Sequence, residues 1–201
     1  MQSGTGDAHL FKDETTDMLF AFKKHPNIVR VYNYYLYPEV KLGYLQMEYI
    51  DGVTIADYKP SLYGKKWVEI FAETIDAFKY LEINNILHRD IRPANIMIDK
   101  DENVKVIDFS FGKKLSNQDK EGRSVFLNWP VTQLPNEMLL EGIYNHQSEI
   151  YFVGKLFSSI LKENIADFKF KHIIDKMVKV NPHERYSSFH EISVDISPGS
   201  Y

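Results

Sequence analysis

Between Trp67 and Leu81 the apolar residues Trp67, Ile70, Phe71, Ile75, Phe78 and Leu81 fall three or four positions apart. That spacing places them on one face of an α-helix and predicts a long helix packed on a core, ended by Asn84-Asn85. Upstream, IVRVYNYYLY and LGYLQMEYI are rich in β-branched and aromatic residues. They predict two antiparallel strands with a turn over Pro38 to Lys41, the second strand closed by Asp51-Gly52. Before them, Met18, Leu19 and Phe22 recur at helical spacing and predict a helix from Phe11 to Lys24, stopped by His25-Pro26. The first ten residues, MQSGTGDAHL, read as a loop, and SGTG as a linker. Downstream, the short runs NIMID and VKVIDF flank KDEN and predict a hairpin. From Lys113 to about Asn128 the chain is polar with little periodicity, and Gly112 to Lys114 read as solvated. SEIYFVGKLFSSIL and FKHIIDKMVKV predict two more buried helices. The outline is an α+β chain: a small strand-bearing part over residues 1–50 and a larger helical part over 51–201.

Composition narrows the class. A chain of 201 residues, 44% hydrophobic, can hold one sizeable core or two small lobes. At this size roughly 70% of the unfolded chain's surface is buried, so no staples are needed. There is no cysteine, which excludes disulfides and thiolate metal sites and fits a reducing compartment. His172, His183 and His190 show no ligand spacing. The net charge of −4, from 24 basic and 28 acidic residues, gives no nucleic-acid footprint. No apolar run reaches the ~18 residues of a membrane span, and Met1-Gln2-Ser3-Gly4 opens no signal peptide. The expectation is a cytoplasmic protein without a membrane segment or a nucleic-acid partner. Its oligomeric state is not legible.

The stretch ILHRDIRPANIMI changes the picture, because a greasy run breaks into strong acid and base before resuming. Asp90 follows the long helix, Asn95 lies five positions on at the mouth of the hairpin, and Asp108 closes the hairpin's second strand. Alone, the loop is ordinary turn chemistry. With that spacing, Asn95 and Asp108 can sit side by side and offer hard oxygen ligands suited to Mg²⁺ when phosphates and waters complete the shell. Asp90 is then placed to accept a hydroxyl proton or aim that hydroxyl at phosphorus.

On these residues the chain resembles the eukaryotic-type protein kinases, in the family's order, from about Glu14 to Ile192. HRDIRPAN resembles their catalytic loop and IDFS their metal-binding Asp-Phe-Gly, with Phe109 in the middle position. HPNIV resembles the link between the regulatory helix and the next strand. MEYIDG resembles the hinge that binds adenine through backbone groups, here the Glu48 carbonyl and the Ile50 amide. Met97 matches the apolar floor under adenine and Thr54 the position near the ribose. LPNE resembles the end of an activation segment that would run from Asp108 to Glu137. SEIYFVG resembles a buried helix with Glu149 where aspartate is usual, and Arg185 of NPHERY would pair structurally with Glu137. The resemblance implies a kinase fold with ATP and Mg²⁺ as cofactors and a serine or threonine hydroxyl of a protein as acceptor. Asp90 would be the base, Arg92 would steady the transferred phosphoryl, and Asn95 and Asp108 would hold the metal. His88 and Arg89 complete the loop, Arg89 being the mark of kinases switched by a phosphorylated segment.

The departures bear on activity. The chain starts too late for three leading strands, a glycine-rich lid and a strand lysine, so the small lobe is expected to be incomplete. Glu14, with Asp17 as the alternative, is the candidate partner of that lysine. Arg92 stands where lysine is usual, Ser110 replaces a glycine, and Pro130 replaces a threonine. Thr132 and Ser124 are candidate phosphosites. Two rival readings follow: a pseudokinase scaffold, and a small-molecule kinase of the aminoglycoside or choline type. Arg89, Glu137 and Arg185 speak against the second.

Overall fold

A computed structural model describes residues 3–5, 8–12, 19–23, 25–40, 42–60, 66–115, 122–123 and 133–197. Glu14, Asp17, Ser124, Pro130 and Thr132 lie outside the described residues. In chain order the strands begin with β1 (Ser3–Thr5), β2 (Ala8–Lys12), β3 (Leu19–Lys23), β4 (Val31–Tyr37), β5 (Leu42–Met47) and β6 (Gly52–Thr54). Helix α1 (Trp67–Ile83) follows, then β7 (Ile86–Leu87), β8 (Ile96–Asp99), β9 (Val104–Val106), β10 (Lys113–Lys114) and β11 (Gly122–Arg123). The chain continues with α2 (Asn136–Glu141), β12 (Ile143–Tyr144), α3 (His146–Leu161), α4 (Lys171–Met177) and α5 (Phe189–Ile196). The fold is α+β and protein-kinase-like, with six strands leading and short strands interleaved among the helices that follow.

The leading part departs from expectation. In place of a helix from Phe11 to Lys24, β2 and β3 form an antiparallel ribbon, Ala8 opposite Lys23 and Lys12 opposite Leu19. Leu19 to Lys23 alternate as readily as they wind, and a run that short fits both periods. The SGTG linker is likewise partly strand, since Ser3–Thr5 pairs with β4 in a sheet ordered β1-β4-β5. The β4–β5 pair lies where the aromatic pattern put it, joined by a short 3-10 turn over Pro38–Val40.

The core belongs to the helical part. α1 buries Ile70, Phe71, Ile75, Phe78 and Leu81, the face its spacing implied. Its first turn is held by the Glu69 carboxylate, which accepts the Lys66 N–H at 2.6 Å. It ends at Asn85, whose φ of 55° breaks the helix. Phe71 meets Phe157 of α3 edge-on at 4.9 Å, and Phe78 stacks on Phe189 of α5 at 5.5 Å. α3 presses on α4 so closely that a Cβ on Gly154 would come within 2.8 Å of Met177 Cβ. The β8–β9 hairpin buries Ile96, Ile98, Val104 and Val106, and β6 adds a third strand with Thr54 opposite Met97. Gly52 is required there, because a Cβ would lie 2.1 Å from the Ile98 carbonyl oxygen. Residues 27–29 dock on β9: Val29 N–H donates to Val106 O, and Val106 N–H donates to Asn27 O, both at 2.9 Å.

Candidate active site

The loop between β7 and β8 carries the densest chemistry. Its entrance is set by His88, which is wholly buried. The Ile107 carbonyl can only accept, so His88 Nε2 carries the proton and donates at 2.9 Å. Nδ1 is then the acceptor for the Asp90 N–H at 3.2 Å. Burial holds the ring's proton affinity below the ordinary histidine value, which keeps this neutral form. Arg89 follows in the left-handed region, φ 67°, and Glu149 secures it from α3. Glu149 Oε1 accepts the His88 N–H at 2.6 Å and the Arg89 N–H at 3.0 Å.

Asp90 is buried at 5% exposure, yet its carboxylate is not alone. Its Oδ2 accepts from Asn95 Nδ2 at 2.7 Å and from Arg92 Nε at 3.1 Å. Asn95 also donates to the Asp90 carbonyl at 2.9 Å, so the amide is fixed with its oxygen turned away from that acid. The Asn95 carbonyl in turn accepts the Ile107 N–H at 2.9 Å, one residue before Asp108. The structure thus brings Asp90, Arg92 and Asn95 into direct contact and seats the backbone leading to Asp108 against Asn95. Asp108 has φ 62°, a conformation aspartate tolerates better than most residues. Its Oδ1 accepts from the Ser110 N–H at 3.2 Å and from the Ser110 hydroxyl. Phe109 packs its ring 4.8 Å from that of His88, linking the two loops.

Beside this cluster, the connection from β5 to β6 carries Glu48 and Ile50. Glu48 N–H donates to Arg30 O at 2.9 Å, and its carboxylate pairs with Lys105 at 2.9 Å. Ile50 and Met97 are half-buried, and Thr54 donates its hydroxyl to Asp57 at 2.7 Å. Farther off, Arg185 grips Glu137 with two bonds of 2.8 and 3.0 Å, both residues buried. The same guanidinium donates to the carbonyls of Lys179, Gln147 and Val180. Lys113 and Lys114 form β10, half-buried and paired with β7.

Sequence reasoning passed over several partners. Asp57 was visible as an acid three after Thr54. Lys105 was visible as a base inside the hairpin. Glu73 was not, since it joins Asn27 Nδ2 at 3.1 Å to the Val104 N–H at 2.9 Å across distant segments.

For a divalent cation the donors fit in kind: an amide oxygen at 95 and a carboxylate at 108 are hard ligands. Among the described residues no three His, Cys, Asp or Glu side chains group into a metal site by themselves. A cation held by these two side chains would take the rest of its shell from water or ligand oxygens.

A neutral histidine thus braces an acid-bearing loop, with an asparagine five residues on and a second acid beyond a hairpin. The family model for the protein kinase domain matches residues 13–166, and the chain belongs to that family. It is 33% identical over 144 residues to the serine/threonine-protein kinase PrkC of Bacillus subtilis, which covers 70% of this chain. It is 39% identical over 146 residues to the serine/threonine-protein kinase PknB of Mycolicibacterium smegmatis, covering 68% of this chain. The rice CBL-interacting protein kinase 21 matches at 30% over 146 residues, 71% of this chain. The matches span 22%, 23% and 27% of those proteins' own lengths. The family uses ATP with a divalent metal and acts on protein substrates. No described helix is long and apolar enough to cross a membrane.

Proposed function

We propose that this chain transfers the γ-phosphoryl group of Mg-ATP to a serine or threonine hydroxyl of a protein. The observation that carries the reading is the bond chain from Asp90 through Asn95 to the strand end holding Asp108. In this reading Asp90 accepts and aims the substrate hydroxyl, oriented by Asn95 and Arg92. Arg92, a third exposed and always charged, can turn toward the transferred phosphoryl. Asn95 and Asp108 would hold the magnesium, which neutralises phosphate charge when bound. Met97 and Ile50 would face the adenine, Thr54 the ribose, and backbone groups of Glu48 and Ile50 would bond the base. Glu137 with Arg185, and Glu149, act as braces.

Phosphate transfer from labelled ATP to a mixed peptide library tests this. Asp90→Asn is expected to lower turnover about 10²–10⁴-fold, the span of a general base. Unchanged turnover would refute the role. The ribbon of β2 and β3, standing where the family's regulatory helix was expected, favours a second reading, a scaffold of kinase fold. Absence of both nucleotide binding and transfer in wild-type protein selects that reading.

A further inference from the structure

The first turn of α3 holds a buried carboxyl and a half-buried imidazole that answer each other. Glu149 Oε1 is crowded with donors: the His88 and Arg89 amides and, at 3.4 Å, the Tyr144 hydroxyl. Its other oxygen, Oε2, is buried without a hydrogen-bond partner among the described residues, and so are both ring nitrogens of His146. His146 Nδ1 faces that oxygen at 3.8 Å, one helical turn away.

We propose that His146 is a positioning residue for the loop that carries Asp90: Glu149 keeps its proton on Oε2 and presents it to His146 Nδ1, so that Oε1 stays seated on the two loop amides. The inference rests on the reading of that loop as catalytic. An oxygen that accepts three donors cannot carry the proton itself, so the neutral acid favoured by complete burial holds its proton on Oε2. The remaining gap is about 1 Å longer than a hydrogen bond, and rotation of the His146 ring, whose nitrogens hold no hydrogen bond among the described residues, would close it with Oε1 left in place. Without that contact the carboxyl can exchange its two oxygens, and the backbone at Arg89, φ 67°, loses a fixed acceptor.

Burial supports the neutral pair, pushing Glu149 up to about 8 and His146 down to about 4. The other titratable and charged groups near the carboxyl are Glu82 on α1, Tyr144 on β12, and His88, Arg89 and Asp90 on the loop. Glu82 raises Glu149 further through like charge. Arg89 and Asp90 act on Tyr144 with opposite signs.

The test follows the Glu149 carboxyl carbon by NMR in the full chain labelled with ¹³C-glutamate, assigned with Glu149→Gln, from pH 5 to 9. The wild-type carboxyl is expected to stay protonated at pH 7. His146→Leu is expected to lower its midpoint by about one pH unit. It should also speed hydrogen exchange of the His88 and Arg89 amides on the order of tenfold. His146→Asn, which returns an acceptor near Nδ1, should restore both. An ordinary carboxyl titration, an imidazolium facing an ionised Glu149 at pH 7, or unchanged values in His146→Leu would overturn the proposal. The wild-type titration decides the matter even where His146→Leu fails to fold. None of these signals requires phosphate transfer, so a chain that transfers nothing leaves this result readable.

Discussion

Glu149 and His146 lie three residues apart and are moved by the same burial in opposite ways, which gives folding stability a particular dependence on pH. Glu149, raised from 4.5 to about 8, holds a proton in the fold that the unfolded chain releases, so stability falls as pH rises between those values. His146, lowered from 6.5 to about 4, stays neutral in the fold while the unfolded chain takes up a proton, so its contribution is lost as pH falls from 6.5 to 4. From 4.5 to 6.5 the two slopes oppose and nearly cancel. Above 6.5 only Glu149 acts, at about 1.4 kcal/mol per pH unit. Urea denaturation at pH 5, 6.5 and 8 is expected to show that decline in wild type relative to Glu149→Gln, in which the difference between pH 6.5 and 8 disappears. The spacing of the two residues was plain in the sequence. Their shielding was not, because it depends on α1, β12 and the loop carrying Asp90 converging on one helical turn.

Elements with a long period or a paired pattern were legible, and short ones were not. α1 declared itself through six apolar positions over four turns, and the β8–β9 hairpin through two apolar runs around a polar tetrapeptide. α2 and α5, 6 and 8 residues long, are not announced by the pattern, and the 7-residue α4 is the exception because Ile173, Ile174 and Met177 give it a clear apolar face. α5 is instead fixed from outside, with the Glu82 carboxylate of α1 accepting the Phe189 N–H at 2.9 Å. The β2–β3 ribbon was misread because pairing, not local period, decides so short a run. Two predictions belong at this scale. Gly154→Ala gains about 1 kcal/mol of helix propensity but forces a Cβ against Met177, whose own Cβ is fixed to backbone and cannot swing away. Overpacking of about 1–3 kcal/mol wins, and a net loss is expected in urea denaturation. Among the described residues, Arg185→Met leaves the buried Glu137 carboxylate only the Ser148 hydroxyl, and it is expected to lose about 3–5 kcal/mol, with Glu137→Leu/Arg185→Met recovering part of it.

For the whole molecule, the proposed nucleotide binding is the property that the separate contacts would have to deliver together. At a concentration 100-fold above Kd, Mg-ATP adds about 2.7 kcal/mol to stability, which for a chain of this size raises Tm by roughly 5–10 °C. Asp108→Asn is expected to remove most of that shift and Asp90→Asn little of it, as differential scanning fluorimetry would read. The loop carrying Asp90 and the strand end carrying Asp108 were legible as a constellation because their residue types and spacing are unusual together. The braces between them were not, since His88 to Ile107 and Asn27 to Val106 are bonds between segments that only folding brings near. The second of these reaches beyond packing. Because residues 27–29 are laced to β9 from both sides, the stretch that enters the leading sheet and the strand that delivers Asp108 share one splice. Val106 stands two residues before Asp108, so these two bonds fasten the approach to β4 directly to the backbone that carries this acid.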